Sequence, residues 1–129
     1  MTSSDPCIAL VDDEASVRTA LGRLLRLADY EVAAFGCGEE FLASLAGRRP
    51  DCVILDVHMP GISGFDVQLR LRAAHIEIPV VFITASDDLA LAQTALAAGG
   101  VRLLRKPFSS FDLLEAVGVA LHRDPRDPS

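Results

Sequence analysis

At 129 residues, half of them hydrophobic, the chain suffices for one compact domain around a single core and is too short for two. A formal net charge of −6 and a pI near 4.9 exclude a domain that binds nucleic acid by itself, since phosphate contacts need clustered Lys and Arg; any DNA role would need another domain. No apolar run reaches the length of a bilayer span, and Met1-Thr2-Ser3-Ser4-Asp5 lacks the basic and apolar regions of a signal peptide, so a cytoplasmic protein with no membrane contact is expected.

The first apolar run, Cys7 to Val11, is continuous rather than alternating, as in strands covered on both faces. It ends in Asp12-Asp13-Glu14 and leads into a helical stripe of Val17, Leu21, Leu24, Leu25 and Ala28, with Arg18, Arg23 and Arg26 mostly off it. Glu31 to Phe35 reads as a second strand and about Glu39 to Leu45 as a short second helix. The third strand, Cys52 to Leu55, runs straight into Asp56, and the chain breaks at Pro60-Gly61. A third helix is expected from about Phe65 to His75, a fourth strand over Val80 to Thr84, and a fourth helix from about Leu89 to Ala98. Val101 to Arg105 is the fifth strand, and the last helix starts at Ser109, whose spacing to Asp112 resembles a capping box, and ends near His122.

Strand and helix alternate five times without internal repeat or low-complexity segment. Right-handed crossovers make this a doubly wound α/β domain, a (βα)5 flavodoxin-like parallel sheet ordered 2-1-3-4-5, over residues 1–122. Residues 123–129, charged and interrupted by Pro125 and Pro128, read as an exposed tail or the start of a linker. Cys7, Cys37 and Cys52 are odd in number and widely spaced, which points to buried thiols rather than a disulfide framework or zinc site.

In such a sheet the ligand crevice lies beyond the carboxyl ends of the strands. Strands one and three are neighbours, so Asp12, Asp13 and Asp56 meet at one rim. Three carboxylates about 5 Å apart repel by roughly 3 kcal/mol per pair at an effective dielectric near 20, and a hard divalent cation with oxygen ligands, Mg²⁺ above all, would neutralise them. Thr84 and Lys106 end the next two strands and would offer a hydroxyl and a positive charge to a phosphoryl group, with Asp56 as the candidate nucleophile. Each feature alone also has an ordinary explanation: Asp12-Asp13 as a helix cap, Asp56 in an Asx turn, Thr84 as strand propensity. Lys106 does not fit that pattern, being the only lysine in a chain whose other basic residues are all arginine. A compact ammonium is not interchangeable with a guanidinium where one oxygen must be reached.

The combination Val11-Asp12-Asp13-Glu14, Leu55-Asp56-Val57-His58-Met59-Pro60-Gly61 with Gly64-Phe65, Thr84-Ala85 and Lys106-Pro107-Phe108 resembles the bacterial two-component response-regulator receiver domain, from Cys7 to His122. The resemblance implies a phosphoacceptor switch rather than an enzyme, with at most Mg²⁺-dependent self-phosphorylation and self-dephosphorylation. Asp56 would accept a phosphoryl group from a histidine kinase or a phosphotransfer protein. Asp13, Asp56 and the backbone carbonyl of His58 would bind Mg²⁺, or Mn²⁺ in its place, with Asp12 acting mostly through water. Thr84 would move to the phosphoryl group, Lys106 would pair with it, and Pro107 is the candidate for a cis peptide bond. Phosphorylation would alter the surface of the fourth helix, fifth strand and fifth helix, controlling an output such as transcription through an effector domain, with homodimerisation through that surface. The first helix and the loop after Lys106 would dock the kinase.

Two positions depart from the usual pattern or carry special interest. Leu103 stands where the family commonly has an aromatic ring that swings inward as the threonine moves. His58, two residues after the acceptor, is either placed to influence the lifetime of the phosphoryl group, where an imidazole titrating near neutrality would make dephosphorylation pH-dependent, or a solvent-exposed histidine with no kinetic role. In the fourth helix, Leu89, Ala92 and Leu96 are assigned to the core, leaving Leu91, Ala95 and Ala98 as a second apolar line, either a surface for a partner or simply alanine-rich helix propensity. The rival function is a haloacid-dehalogenase-like, Mg²⁺-dependent phosphatase; those enzymes carry a second acid where this chain has His58, and metal-binding acids after the lysine. A flavin-binding module would not place acids at the phosphate site, and a receiver-like domain that is never phosphorylated would not need Asp13, Asp56, Thr84 and Lys106 together.

Overall fold

The computed structural model describes residues 5–122. Five parallel strands, β1 (Cys7–Val11), β2 (Glu31–Phe35), β3 (Cys52–Asp56), β4 (Val80–Thr84) and β5 (Arg102–Arg105), form one sheet in the order β2-β1-β3-β4-β5. Helices α1 (Ala15–Leu27), α2 (Gly38–Ser44), α3 (Gly64–Ala73), α4 (Leu89–Ala97) and α5 (Ser110–His122) alternate with them. The expected doubly wound fold is therefore present. Expected residues 123–129 and the side chain of Leu89 lie outside the described residues.

The three central strands are buried along their whole length because successive residues feed different layers. Ala9, Val11, Val53, Leu55, Val80 and Phe82 pack with Phe41, Val67, Leu71 and Ala95 on the face covered by α2, α3 and α4. Ile8, Leu10, Cys52, Ile54, Val81 and Ile83 pack with Leu25, Leu113, Ala116 and Val117 under α1 and α5. The single core expected from length is thus two, separated by the sheet. At about 2 kcal/mol for each fully buried aliphatic side chain, these strands supply a large share of the burial energy, the helices packed on them supplying much of the rest. Edge strands β2 and β5 are only partly covered.

The local sequence explains the helix limits. Ser63 caps α3: its Oγ accepts from the Asp66 N–H at 3.1 Å while its own N–H donates to Asp66 Oδ2 at 3.0 Å. At α5 the expected cap is seen as Ser109 Oγ accepting from the Asp112 N–H at 3.0 Å. The fourth helix corrects the expected stripe. Ala95 is fully buried and Leu91 packs on the core, whereas Leu96 is 56% exposed. A short, alanine-rich helix carries too weak an apolar asymmetry for its inward face to be read from spacing. Cys7 and Cys52 are buried, with the Cys52 thiol pushed up to about 12 by burial, but Cys37 is only half-buried. Among the described residues no helix is long and apolar enough to cross a membrane.

Candidate acidic site at the carboxyl edge of the sheet

Register decides which side chains meet. Val11 is paired with Leu55, so one residue further along each strand Asp12 and Asp56 come side by side. Asp56 still belongs to β3, opposite Ile83, and the Val57 N–H donates to the Ile83 carbonyl at 2.9 Å, so the sheet holds the base of this carboxylate. Gly64 completes the support: a Cβ there would lie 2.5 Å from the Asp56 carbonyl oxygen and 3.2 Å from Val57 Cα, so the start of α3 approaches the strand end as only glycine allows.

Asp12, Asp13 and Asp56 each offer an oxygen, all within 4.8 Å of one another, with Asp13 exposed and the other two buried. Every polar group of Asp12 is engaged. Its N–H donates to the Phe35 carbonyl at 3.1 Å, its carbonyl accepts from Arg18 Nη1 at 2.7 Å, Oδ1 accepts from the Glu14 N–H at 2.9 Å, and Oδ2 accepts from Lys106 Nζ at 3.0 Å. The bond from the Glu14 N–H to Asp12 Oδ1 is an Asx-type turn two residues long rather than a helix cap: Glu14 is itself the N-cap of α1, which has no side-chain cap, so the cap reading of the acid pair is not met. Lys106 Nζ also lies 3.4 Å from Glu14 Oε1 and 3.7 Å from Asp56 Oδ2.

Burial and then the Asp12 carboxylate push the Asp56 carboxyl up to about 7; Lys106 and the His58 N–H, which donates to Asp56 Oδ1 at 3.3 Å, pull the other way, and Asp13 adds to the rise. Burial works to lower Lys106, but the hydrogen bond to Asp12, with the charges of Asp56, Asp12 and Glu14, outweighs it and raises its pKa. The one ammonium therefore stays charged among several acids and does not neutralise them all. Crowded hard oxygens with one exposed carboxylate suit a small divalent cation that keeps some of its water, as Mg²⁺ does.

Thr84 is fully buried at the end of β4, where its Oγ1 accepts from the Ser86 N–H at 3.1 Å; its carbonyl accepts from the Lys106 N–H at 2.7 Å. The Lys106-Pro107 peptide is cis. Leu103, paired with Phe82, is half-buried against the α2–α3–α4 core, and the His58 side chain is exposed. Glu14 and Arg18 were not singled out from sequence. Glu14 directly follows the acid pair, and Arg18 places a cation near a helix start, where the backbone dipole disfavours it; their contacts with Lys106 and with the Asp12 carbonyl are set by the turn after β1, which spacing does not specify. A cleft of about 580 Å³, lined by Gln68, Arg72, His75 and Leu96 among others, opens at the opposite end of the sheet, away from the acids. A bound ion and a phosphoryl group need charge more than volume, so the shallow acidic rim remains the functional candidate.

Comparison with known proteins agrees with this fold. The family model described as "Response regulator receiver domain" matches residues 8–118. Nodulation protein W of Bradyrhizobium diazoefficiens is 39% identical over 122 residues, 95% of this chain and 54% of that protein. The response regulator protein TmoT of Ectopseudomonas mendocina is 36% identical over 98% of this chain and 57% of its own length. The chain thus spans about half the length of these curated relatives. A response regulator receiver protein from Burkholderia phymatum superimposes with a TM-score of 0.81 at 47% identity, covering 91% of this chain and 95% of that one. With the strand order, the acid cluster and these similarities together, this chain belongs to the response regulator receiver domain family of two-component systems.

Proposed function

We propose that the chain is a phosphoacceptor switch in which Asp56 takes a phosphoryl group from a histidine kinase or phosphotransfer protein in the cytoplasm. The observation that carries this reading is the single lysine held within 3.7 Å of a buried carboxylate that shares its rim with two more acids. An Asp56 carboxylate oxygen forms the new bond to phosphorus as the donor's P–N bond breaks, and the donor imidazole keeps the nitrogen electron pair and takes up a proton. Asp13, Asp56 and the His58 carbonyl would hold Mg²⁺ directly, with Asp12 in support. When bound, Mg²⁺ supplies the positive charge that offsets the phosphoryl oxygens. Lys106 turns from Asp12 toward the phosphoryl group, and Thr84 gives up its contact with the Ser86 amide to donate its hydroxyl. Because Leu103 has no ring to swing, the switch here works by aliphatic repacking against Phe82 and α4. The α4–β5–α5 surface then changes its output state, including self-association, with residues 1–122 as the switching unit.

The phosphatase alternative gains nothing, since His58 is exposed and only its backbone reaches Asp56. Intact mass after incubation with acetyl phosphate and Mg²⁺ tests the proposal. A gain of one phosphoryl group in the wild type and none in Asp56→Asn is expected; no gain from any donor, or equal gain in both, overturns it.

A further inference from the structure

Arg18 sits where helix physics disfavours it. It is the fourth residue of α1, whose first turn carries no acid and whose N-cap, Glu14, makes no side-chain cap. A cation there opposes the helix dipole rather than stabilising the helix. Its guanidinium instead leaves the helix and donates to the Asp12 carbonyl at 2.7 Å, among the shortest side-chain hydrogen bonds in the protein. The same group lies over the β2–α2 turn, where a Cβ on Gly36 would be 3.4 Å from Nη1 and 3.7 Å from Cζ. Gly36 follows Phe35, whose carbonyl accepts the Asp12 N–H. Arg18 therefore closes a ring: α1 to the Asp12 carbonyl, Asp12 to the end of β2, and the turn after β2 back to the guanidinium.

We propose that Arg18 is a positioning residue for the acidic site, fixing the Asp12-Asp13 backbone so that both carboxylates face Asp56. The need for such a brace follows from the charges. Asp12, Asp13 and Asp56 repel one another, and the exposed Asp13 has no hydrogen bond of its own to hold it toward the others among the described residues. Fixing the peptide on the Asp12 side orients the Asp13 side chain from its root, at no cost in direct contact with the metal. This inference rests on the metal-and-phosphoryl reading above. Arg23 and Arg26, which share a surface cleft with Arg18, make no side-chain hydrogen bond to the acid segment among the described residues, and so serve as controls for charge alone.

The test is a Mg²⁺ titration by calorimetry on the full chain, with amide hydrogen exchange on the metal-free protein. Arg18→Ala should weaken Mg²⁺ binding about tenfold, as loss of an orienting outer group does, and should speed exchange at the Asp12 and Glu14 amides, which are hydrogen-bonded to the Phe35 carbonyl and to Asp12 Oδ1. Arg18→Lys should recover part of both, and Arg23→Ala should change neither. Mg²⁺ binding as tight as wild type or tighter in Arg18→Ala overturns the proposal, because tighter binding is the sign that simple removal of a positive charge produces. Should Arg18→Ala not fold, Arg18→Gln, too short to reach the Asp12 carbonyl from α1, carries the same expectations. If the wild type takes up no Mg²⁺ the metal reading itself fails, and the exchange arm still decides the role of Arg18: unchanged Asp12 and Glu14 protection in the variant sinks it.

Discussion

Replacing Asp56 with asparagine should make the metal-free protein more stable, and by an amount that depends on pH. The Asp56 carboxyl is raised from 3.8 to about 7, first by burial and then by Asp12. At about 1.4 kcal/mol per pH unit, the ceiling on the cost of ionising it in the folded state is roughly 4 kcal/mol. Asparagine still buries a polar amide and leaves Lys106 with one anion fewer, so about 2 kcal/mol of stabilisation is expected at pH 8. For a domain of this size that is a rise of roughly 8 °C in Tm. The folded pKa lies above the unfolded one, so wild-type stability is undiminished by this group below about pH 4, falls as pH rises through the interval, and levels off above about pH 7. The gap between variant and wild type should open over that same interval. Urea unfolding in chelator at pH 5, 6, 7 and 8 measures it, followed by circular dichroism since the chain has no tryptophan. Equal stabilities, or a gap of the same size at pH 5 and pH 8, would refute the reasoning. Mg²⁺ should then stabilise the wild type far more than Asp56→Asn.

Three further outcomes are expected. Lys106→Met strands the fully buried Asp12 carboxylate and should cost about 3 kcal/mol in urea unfolding at pH 8, with part of the loss restored by Mg²⁺. Gly64→Ala forces a methyl against the Asp56 carbonyl, a backbone atom that cannot swing away, and should lower stability by about 2 kcal/mol while weakening Mg²⁺ binding measured by calorimetry. Of the three thiols, Cys37 should react first with a colorimetric disulfide reagent, and Cys52, its pKa pushed up to about 12 by burial, only after unfolding.

Much of the fold was legible because its strands are extreme. Runs such as Val80-Val81-Phe82-Ile83 have no polar residue to spare, so both faces had to be covered and the sheet had to be parallel. The acids were legible for a related reason: a carboxylate directly after such a run is costly unless something uses it. The inward face of α4 was not, because alanine packs equally well in either direction and the choice between Ala95 and Leu96 is made by the neighbouring sheet. Nor were the second partner of Lys106 and the reach of Arg18 legible, since both depend on how the turn after β1 folds back. Sequence spacing says which side chains share a face; it does not say where a long flexible cation ends.

The last strand joins the acidic rim to both layers of the core. Leu103 and Leu104 are consecutive, yet the first packs into the layer beneath α4 and the second into the layer beneath α5. Two residues later comes Lys106, tethered to three carboxylates. A small slide of this border ribbon, pulled from its charged end, would press on both sides of the domain at once. Any single tug on that end would thereby be divided between the two flanks rather than delivered to one.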